Sequence, residues 1–473
     1  MGIIVNFKMS TFKLYFLICA LTIGFGNYDV CAQAFSDEWI ALFNGKDLTG
    51  WKQLNGTAKY RVENGEIIGT TKTKIPNSFL ATEKNYSDFI LEFEVLVDPT
   101  INSGVQFRSN SIEAYNNGRV HGYQFELDPS DRAFSGGIYD EGRRGWLYPL
   151  SLNQKGRKAF KNGIWNHCRI EAIGKSVKTW INGVPCSNLV DDLTPSGFIA
   201  LQVHGIGTNE NLAGKEIKWR NIRIKTNNLN EARLPSNPEV KEMSYLVNTL
   251  TQNEIDKGWR LLWDGKTNKG WRGAKLDHFP ESGWEIKNGE LAILATDGGE
   301  STGPGDLVTE KQFSSFELEL EFKITEGANS GIKYFVDAQL NKETGSAIGC
   351  EFQILDDKNH PDAKAGINGN RTLGSLYDLI KAENLSIPER NKTFKGVGSW
   401  NKARIIVKGS HVEHWLNNEK VIEYDRHSQM FKTLVAYSKF NKWEGFGQWQ
   451  GGHILLQDHG DTVYFRSIKI REF

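Results

Sequence analysis

Four stretches of this 473-residue chain set acids, amides or histidines at alternate positions, the spacing that gathers side chains on one face of a β-strand. Within 452–460, His453, Leu455, Gln457 and His459 fall on one face and Ile454 and Leu456 on the other; within 197–205 the same positions hold Phe198, Ala200, Gln202 and His204. Glu351 and Gln353 alternate with Phe352 and Ile354, as Gln124, Glu126 and Asp128 alternate with Phe125 and Leu127. Asp356 arrives one residue later than Asp128, so a β-bulge is expected to keep it on the same face, a device common beside active sites. Lys333 occupies the place of Gln106, which shares a strand face with Arg108, while Tyr377-Asp378 and Tyr139-Asp140 fall in corresponding loops. A face carrying Lys333, Glu351, Asp356, His453, Gln457 and His459 together can bind a divalent cation, move protons or hydrogen-bond sugar hydroxyls. Taken singly, each is more often simply a solvated strand position. Trp146, Trp443 and Trp449 lie in Gly-rich loops, where indoles stack on sugar faces or pin the loop to the core. There is no GxSxG elbow, P-loop, HExxH, EF-hand loop or Cys/His zinc spacing.

The elements that must position these residues come twice. Phe43-Asn44-Gly45-Lys46 with Gly50-Trp51 returns as Trp263-Asp264-Gly265-Lys266 with Gly270-Trp271, and Asn64-Gly65-Glu66 as Asn288-Gly289-Glu290. Asn102-Ser103-Gly104 returns as Asn329-Ser330-Gly331, Trp165-Asn166 as Trp400-Asn401, and Trp219-Arg220 as Phe465-Arg466, always in the same order. Two homologous domains, near 37–226 and 251–473, are joined by a polar linker over 227–250. Thr251-Gln252-Asn253-Glu254 predicts a capping box that opens a short helix into the second domain. Within each copy the dominant period is two: 316–324 alternates without a fault, as a strand with one wet face does, and Gly174-Lys175 and Gly409-Ser410 turn two hairpins. Many short strands between Gly/Asn turns predict an all-β chain of two tandem antiparallel β-sandwiches of jelly-roll type.

Lys and Arg together number 57, as do Asp and Glu, which excludes the broad basic field of a nucleic-acid binder. Lys8 and Lys13, an apolar run over 14–25 and Ala32-Gln33-Ala34 read as a secretory signal over 1–34, with the mature chain starting at Phe35 and exported to the periplasm or beyond. The mature chain is expected to lack a transmembrane segment. Its cysteines, Cys168, Cys186 and Cys350, are too few to build a fold. Cys168 and Cys186, on neighbouring expected strands, either pair or stay as buried thiols.

The Asn-Gly-Lys…Gly-Trp starts, Asn-Ser-Gly before a strand, Glu351-Phe-Gln-Ile-Leu-Asp356, Gly-Ser-Leu-Tyr377, Trp400-Asn401 and 452–460 followed by Phe465-Arg466 resemble the 3-keto-disaccharide hydrolase domain family. The resemblance covers nearly all of the second copy and most of the first, which departs at Phe198 and at Gln124. It implies concanavalin A-like jelly rolls in exported proteins that handle glycans, and cleavage of disaccharides or other glycosides already oxidised to a ketone at C3. Such a ketone acidifies the C2 proton, so a base can form an enolate that expels the C1 substituent before water adds. The expectation places this chemistry in the second copy, with His453 or His459 as base and Lys333 as a competing base. Lys333 or a divalent cation would stabilise the enolate, Glu351 and Asp356 would serve as ligands or acid partners, and Gln353 and Gln457 would orient hydroxyls. Tyr377 and Trp443, and in the first copy Arg108, Gln124, Glu126, Asp128, Tyr139, Gln202 and His204, are expected to contact sugar. The alternative is a non-catalytic carbohydrate-binding protein with two lectin-like sandwiches.

Overall fold

Asn-Gly pairs reverse the chain where alternation turns into pairing. Asn64 and Gly65 (φ 52° and 77°) and Asn288 and Gly289 (φ 53° and 74°) take the left-handed conformation of a tight hairpin turn. They join Lys59–Glu63 to Glu66–Thr70 and Trp284–Lys287 to Glu290–Ile293. The computed structural model describes residues 39–296, 305–343 and 345–473; the leader expected over 1–34 lies outside them. The regular structure of the described chain is mostly β-strand, antiparallel apart from one short pair, arranged as two two-sheet sandwiches.

Each sandwich has one larger and one smaller sheet. The larger sheet of the first runs Val184–Val190, Ser176–Ile181, Asn166–Ile173, Phe89–Val97, Glu216–Lys225, Glu66–Thr70, Lys59–Glu63. Its counterpart in the second runs Glu419–Asp425, His411–Leu416, Asn401–Lys408, Phe316–Ile324, Val463–Glu472, Glu290–Ile293, Trp284–Lys287, the same order. The smaller sheets share Trp51–Asn55, Ser78–Thr82, Phe198–Val203, Ser103–Asn110, His121–Leu127 and their counterparts Trp271–Gly273, Leu307–Thr309, His453–Leu456, Asn329–Asp337, Ile348–Leu355. Among the described residues, the first continues into Ile138–Glu141 and Gly145–Tyr148 and the second does not.

Period two decides what is buried. Phe316, Leu318, Leu320, Phe322 and Ile324 all lie within 1% of full burial between the sheets, each contributing roughly 1.5–3 kcal/mol of transfer free energy. The opposite face of that strand departs from expectation, because Glu317, Glu319 and Glu321 are buried as well. They form a ladder of ion pairs: Glu317 with Arg404 and Arg471, Glu319 with Lys402 and Lys469 (both 3.0 Å), Glu321 with Arg466 (2.7 Å). The segment between the domains supplies the cover. Lys402 Nζ also donates to Ser244 O (3.1 Å), and Asn418 Nδ2 to the Tyr245 hydroxyl (2.9 Å). That segment is more than a connection: Met243–Ser244 adds a parallel strand to Val184–Val190, and Ile387 of the second sandwich packs into the first core. Thr251 and Glu254 make the reciprocal capping box at the start of Gln252–Asp256.

Several repeated motifs serve the fold. Asn44 and Asp264 each accept two turn N–H groups, and Trp51 and Trp271 each donate an indole N–H to the chain nine residues earlier (2.9 Å). Arg220 lies 4.0 Å over Trp165, as Arg466 does over Trp400. Cys168 and Cys186 are buried free thiols. Ser176–Ile181 runs between their strands, which sets them about two strand spacings, roughly 10 Å, apart, beyond the reach of a disulfide. Among the described residues no helix is long and apolar enough to cross a membrane.

Candidate functional site

The outer face of the second smaller sheet holds a cavity of about 190 Å³ lined by Asn329, Lys333, Glu351, Gln353, Gln457 and His459 from the strands and their ends, by Tyr377 from a loop, and by Lys439, Lys442 and Trp443. Register brings the strand residues together. Lys333 pairs directly with Glu351 and Gly331 with Gln353, so all four share one face. Gly331 is the position the Asn-Ser-Gly motif protects: a Cβ there would meet Glu351 Oε1 at 2.3 Å, so only glycine lets the carboxylate lie across the strand. Ser330 Oγ donates to Gln457 O (2.9 Å), tying the neighbouring strand in place, as Ser103 does to Gln202 O (2.7 Å).

At the floor, Lys333 Nζ stands 3.7 Å from Glu351 Oε2, and both side chains are almost fully buried. The ammonium also donates to Ser346 Oγ (2.5 Å) and Ala347 O (3.3 Å), and Ser346 donates on to Asp306 Oδ2 (2.6 Å). With its amide nitrogen turned toward the carboxylate, Gln353 donates to Glu351 Oε1 (3.0 Å) and Ser330 O (2.9 Å). Tyr377 sits beside Glu351 through a backbone bond (3.1 Å), and its hydroxyl donates to Asp362 Oδ2 (2.9 Å), itself clamped by Arg371 (2.9 Å). Burial, with Glu351 and Asp362 nearby, pushes the Tyr377 phenol well above its ordinary range, so it remains a hydrogen donor. Lys439, Lys442 and Trp443 come from residues 426–452, between Glu419–Asp425 and His453–Leu456; the first copy crosses the same gap with 191–197 alone.

Three expected second-copy residues thus meet in the floor (Lys333, Glu351, Gln353), with Tyr377, Gln457, His459 and Trp443 around them, but two do not join. His453 is on the same strand face as Gln457, yet four residues along a strand is about 13 Å. Leu455 separates them and packs with Val308, Val336, Ala347 and Ala274 in a small apolar cluster. His453 is fixed there as a neutral ring: Nδ1 donates to Thr309 O (2.6 Å) and Nε2 accepts from Gln312 (3.2 Å), while burial lowers its pKa. Asp356 also falls outside. No bulge interrupts Ile348–Leu355 next to it, and its carboxylate accepts from Gly327 N (2.9 Å) and Asn359 Nδ2 (2.8 Å), holding a turn.

The bulge lies instead on the facing strand, at Phe335 (φ 53°), and recurs in the first copy at Arg108 (φ 46°). That extra residue rotates Arg108 off the face of Gln106. Its guanidinium is buried against Ser87 O (2.6 Å), Gly174 O (2.8 Å) and Asp88 (2.9 Å), and it does not line the first-copy cavity. Asp128 likewise leaves the expected set, because its carboxylate clamps Ser130 (2.6 Å) and Arg132 (2.5 Å).

The first copy keeps the cavity and changes its charges. About 330 Å³ is lined by Asn77, Asn102, Arg119, Gln124, Glu126, Arg132, Tyr139, Glu141, Trp146 and His204. Gln106 and Gln124 stand in register where Lys333 and Glu351 do, and hydrogen-bond each other. The carboxyl has moved two residues along, to Glu126, which accepts from Asn102 Nδ2 and Gln124 Nε2 (both 2.7 Å). Burial outweighs those bonds and raises Glu126 from 4.5 to about 7. Gln202 is fully buried beneath this face, and neither of its amide atoms has a hydrogen-bond partner.

Ser346, Asp306, Lys439 and Lys442 lie outside the motifs repeated between the two copies, so no sequence signal marks them. Asn329 was legible, since it opens the repeated Asn-Ser-Gly.

The sequence profile of the 3-keto-alpha-glucoside-1,2-lyase-like domain matches residues 38–225 and again 258–471. A 3-keto-disaccharide hydrolase of Bacteroides thetaiotaomicron is 39% identical over 234 residues, spanning 45% of this chain and 78% of the relative. Among solved structures, one from Parabacteroides distasonis, provisionally named a glycosyl hydrolase, is similar over 48% of this chain and all of its own, at 28% identity and a TM-score of 0.42. A carbohydrate-binding module from Bacillus subtilis is similar over 37% of this chain and 96% of its own, at 17% identity and a TM-score of 0.27.

Proposed function

The chain belongs to the 3-keto-alpha-glucoside-1,2-lyase-like domain family through both of its sandwiches, and from that premise we propose that its second sandwich cleaves 3-keto-glycosides by elimination and hydration. The observation that carries this reading is the Lys333–Glu351 pair, 3.7 Å apart at the cavity floor. C2–H and the C3 carbonyl oxygen are neighbours in the sugar, so the reaction needs an adjacent base and cation.

Glu351 takes the C2 proton, and carboxylates perform this step in other enolising enzymes. The C2–H electron pair becomes the C2–C3 double bond of an enolate, whose O3 charge Lys333 meets. As the C3 ketone re-forms, the electrons move to C1–C2 and the C1–O bond breaks with its pair. The leaving oxygen takes up the proton that Glu351 removed from C2, which returns Glu351 to its carboxylate, while the Tyr377 hydroxyl hydrogen-bonds that oxygen. Water then adds hydroxyl at C1 and a proton at C2, which restores the 3-keto sugar. Gln353 and Gln457 orient ring hydroxyls, and Trp443 offers a face for stacking. His459 stands at the mouth of the cavity, and His453 has no part. The Gln106–Gln124 pair gives the first sandwich neither base nor cation at the matching place, which favours sugar binding there without turnover.

The test incubates the purified chain with a 3-keto-glucoside and with its unoxidised analogue. Only the keto form should be cleaved, and Lys333→Gln, the residue the first copy carries, should lower kcat about 10²–10³-fold. Equal cleavage of both substrates, or an unchanged rate in Lys333→Gln, would overturn the proposal.

A further inference from the structure

Beside the cavity mouth, His459 and Asp461 leave the end of the strand that carries Gln457, and His360 approaches from the loop after Ile348–Leu355. One ligating atom from each of the three lies within 4.8 Å of the others, and all three are half-buried. The two imidazoles meet edge to face with centroids 6.0 Å apart. His459 lines the cavity that contains Lys333 and Glu351, yet among the described residues it makes no hydrogen bond.

The other two are held from behind. Asp461 Oδ2 accepts from Asn329 N (2.9 Å), which holds the carboxylate with an oxygen within 4.8 Å of a nitrogen of each histidine. His360 opens a short turn whose next acid, Asp362, is fixed by Arg371 and Tyr377. Its Nδ1 accepts from Asp362 N (3.1 Å), a weak bond that ligation would exchange. Metal bonds of about 2.0–2.2 Å need ligand atoms about 3.4 Å apart in a tetrahedron, within reach of small side-chain rotations from the spacing seen.

We propose that His360, His459 and Asp461 form a site for one divalent transition-metal ion, such as Zn²⁺ or Mn²⁺, whose open coordination positions face the cavity. Two imidazoles and one carboxylate suit such an ion better than Mg²⁺ or Ca²⁺, and three protein ligands leave room for a substrate oxygen. This deepens the function proposed above, on which the ion's role rests: it would polarise the C3 carbonyl alongside Lys333, and it makes His459 a ligand instead of a base. These ligands replace the Glu351 and Asp356 expected from sequence, because Glu351 is engaged with Lys333 and Asp356 with a turn. The first copy keeps His204 but has Ile206 where Asp461 stands, so the site belongs to the second sandwich alone. A second grouping, His411, Glu413 and Glu423, is more exposed and already satisfied by Lys420 (3.3 and 2.6 Å) and Trp415 (2.6 Å).

The full-length mature chain is stripped with chelator, dialysed and titrated with Zn²⁺ and Mn²⁺ by calorimetry, with Ca²⁺ as control. One Zn²⁺ or Mn²⁺ should bind per chain, with affinity weakened at least ~10-fold in Asp461→Asn and in His360→Gln. His411→Ala should bind as wild type does. Absence of stoichiometric binding, or undiminished binding in both ligand variants with their far-UV spectra unchanged, would overturn the site. Cleavage is scored separately. A protein that binds the ion but cleaves no keto-glycoside keeps the site and loses the function; one that cleaves fully when ion-free keeps the function and loses the ion's part in it.

Discussion

Replacing Glu126 by glutamine removes a carboxyl that the first sandwich buries at 4% exposure and raises from 4.5 to about 7. The folded state therefore favours the protonated acid. Its contribution is fully present below pH 4.5, is lost as pH rises toward 7, and stays lost above that. Each tenfold change in proton affinity is worth about 1.4 kcal/mol, so the ionised form costs the fold about 3 kcal/mol above pH 7. Glu126→Gln keeps an acceptor for Asn102 and escapes the charge. Its stability relative to wild type should improve by roughly 2–3 kcal/mol between pH 5 and pH 8, while differing little at pH 5. Hydrogen exchange of the amides in His121–Leu127, read at both pH values in both proteins, reports the first sandwich without interference from the second. A difference that does not change with pH, or a variant that loses ground at pH 8, would refute the reasoning: Asn102, Gln124 and Arg132 would then be holding a full carboxylate at no cost.

His453→Phe imports the residue of the first copy. It should leave turnover of a keto-glycoside unchanged and cost about 1 kcal/mol, measured by urea unfolding, for the bonds to Thr309 and Gln312; a large loss of turnover would return His453 to the chemistry. Gly331→Ala sets a methyl 2.3 Å from Glu351 Oε1, so the carboxylate must move. Turnover should fall on the order of 10²-fold with the fold intact by circular dichroism, and an unchanged rate would show that Glu351 is not the base.

Much of the architecture was written in local chemistry. Period two along 316–324 and the Asn-Gly turns specify hairpins without help from distant residues, and the repeat of those signals implies two sandwiches. The cavity was legible where strand register was regular: Lys333 with Glu351, Gln353 and Gln457 follow from alternation and from the Asn-Ser-Gly glycine that clears their space. It failed where register broke. The bulge expected beside Asp356 sits on the facing strand, at Phe335 and at Arg108, and a positive φ in a bulky residue is a choice made by packing.

The sequence alone determined which faces are apolar, where the chain turns and which polar side chains share a strand. Only the tertiary structure decided which of those side chains meet, because sharing a face does not fix separation along it: His453 and Gln457 share theirs but lie about 13 Å apart. The same holds for burial. The alternate glutamates of 316–324 read as a wet face, yet the segment between the domains and a set of lysines and arginines cover them. Lys439, Lys442 and Trp443 reach the cavity from a segment whose course no local period encodes, and long-range closure of that segment is what assembles the site.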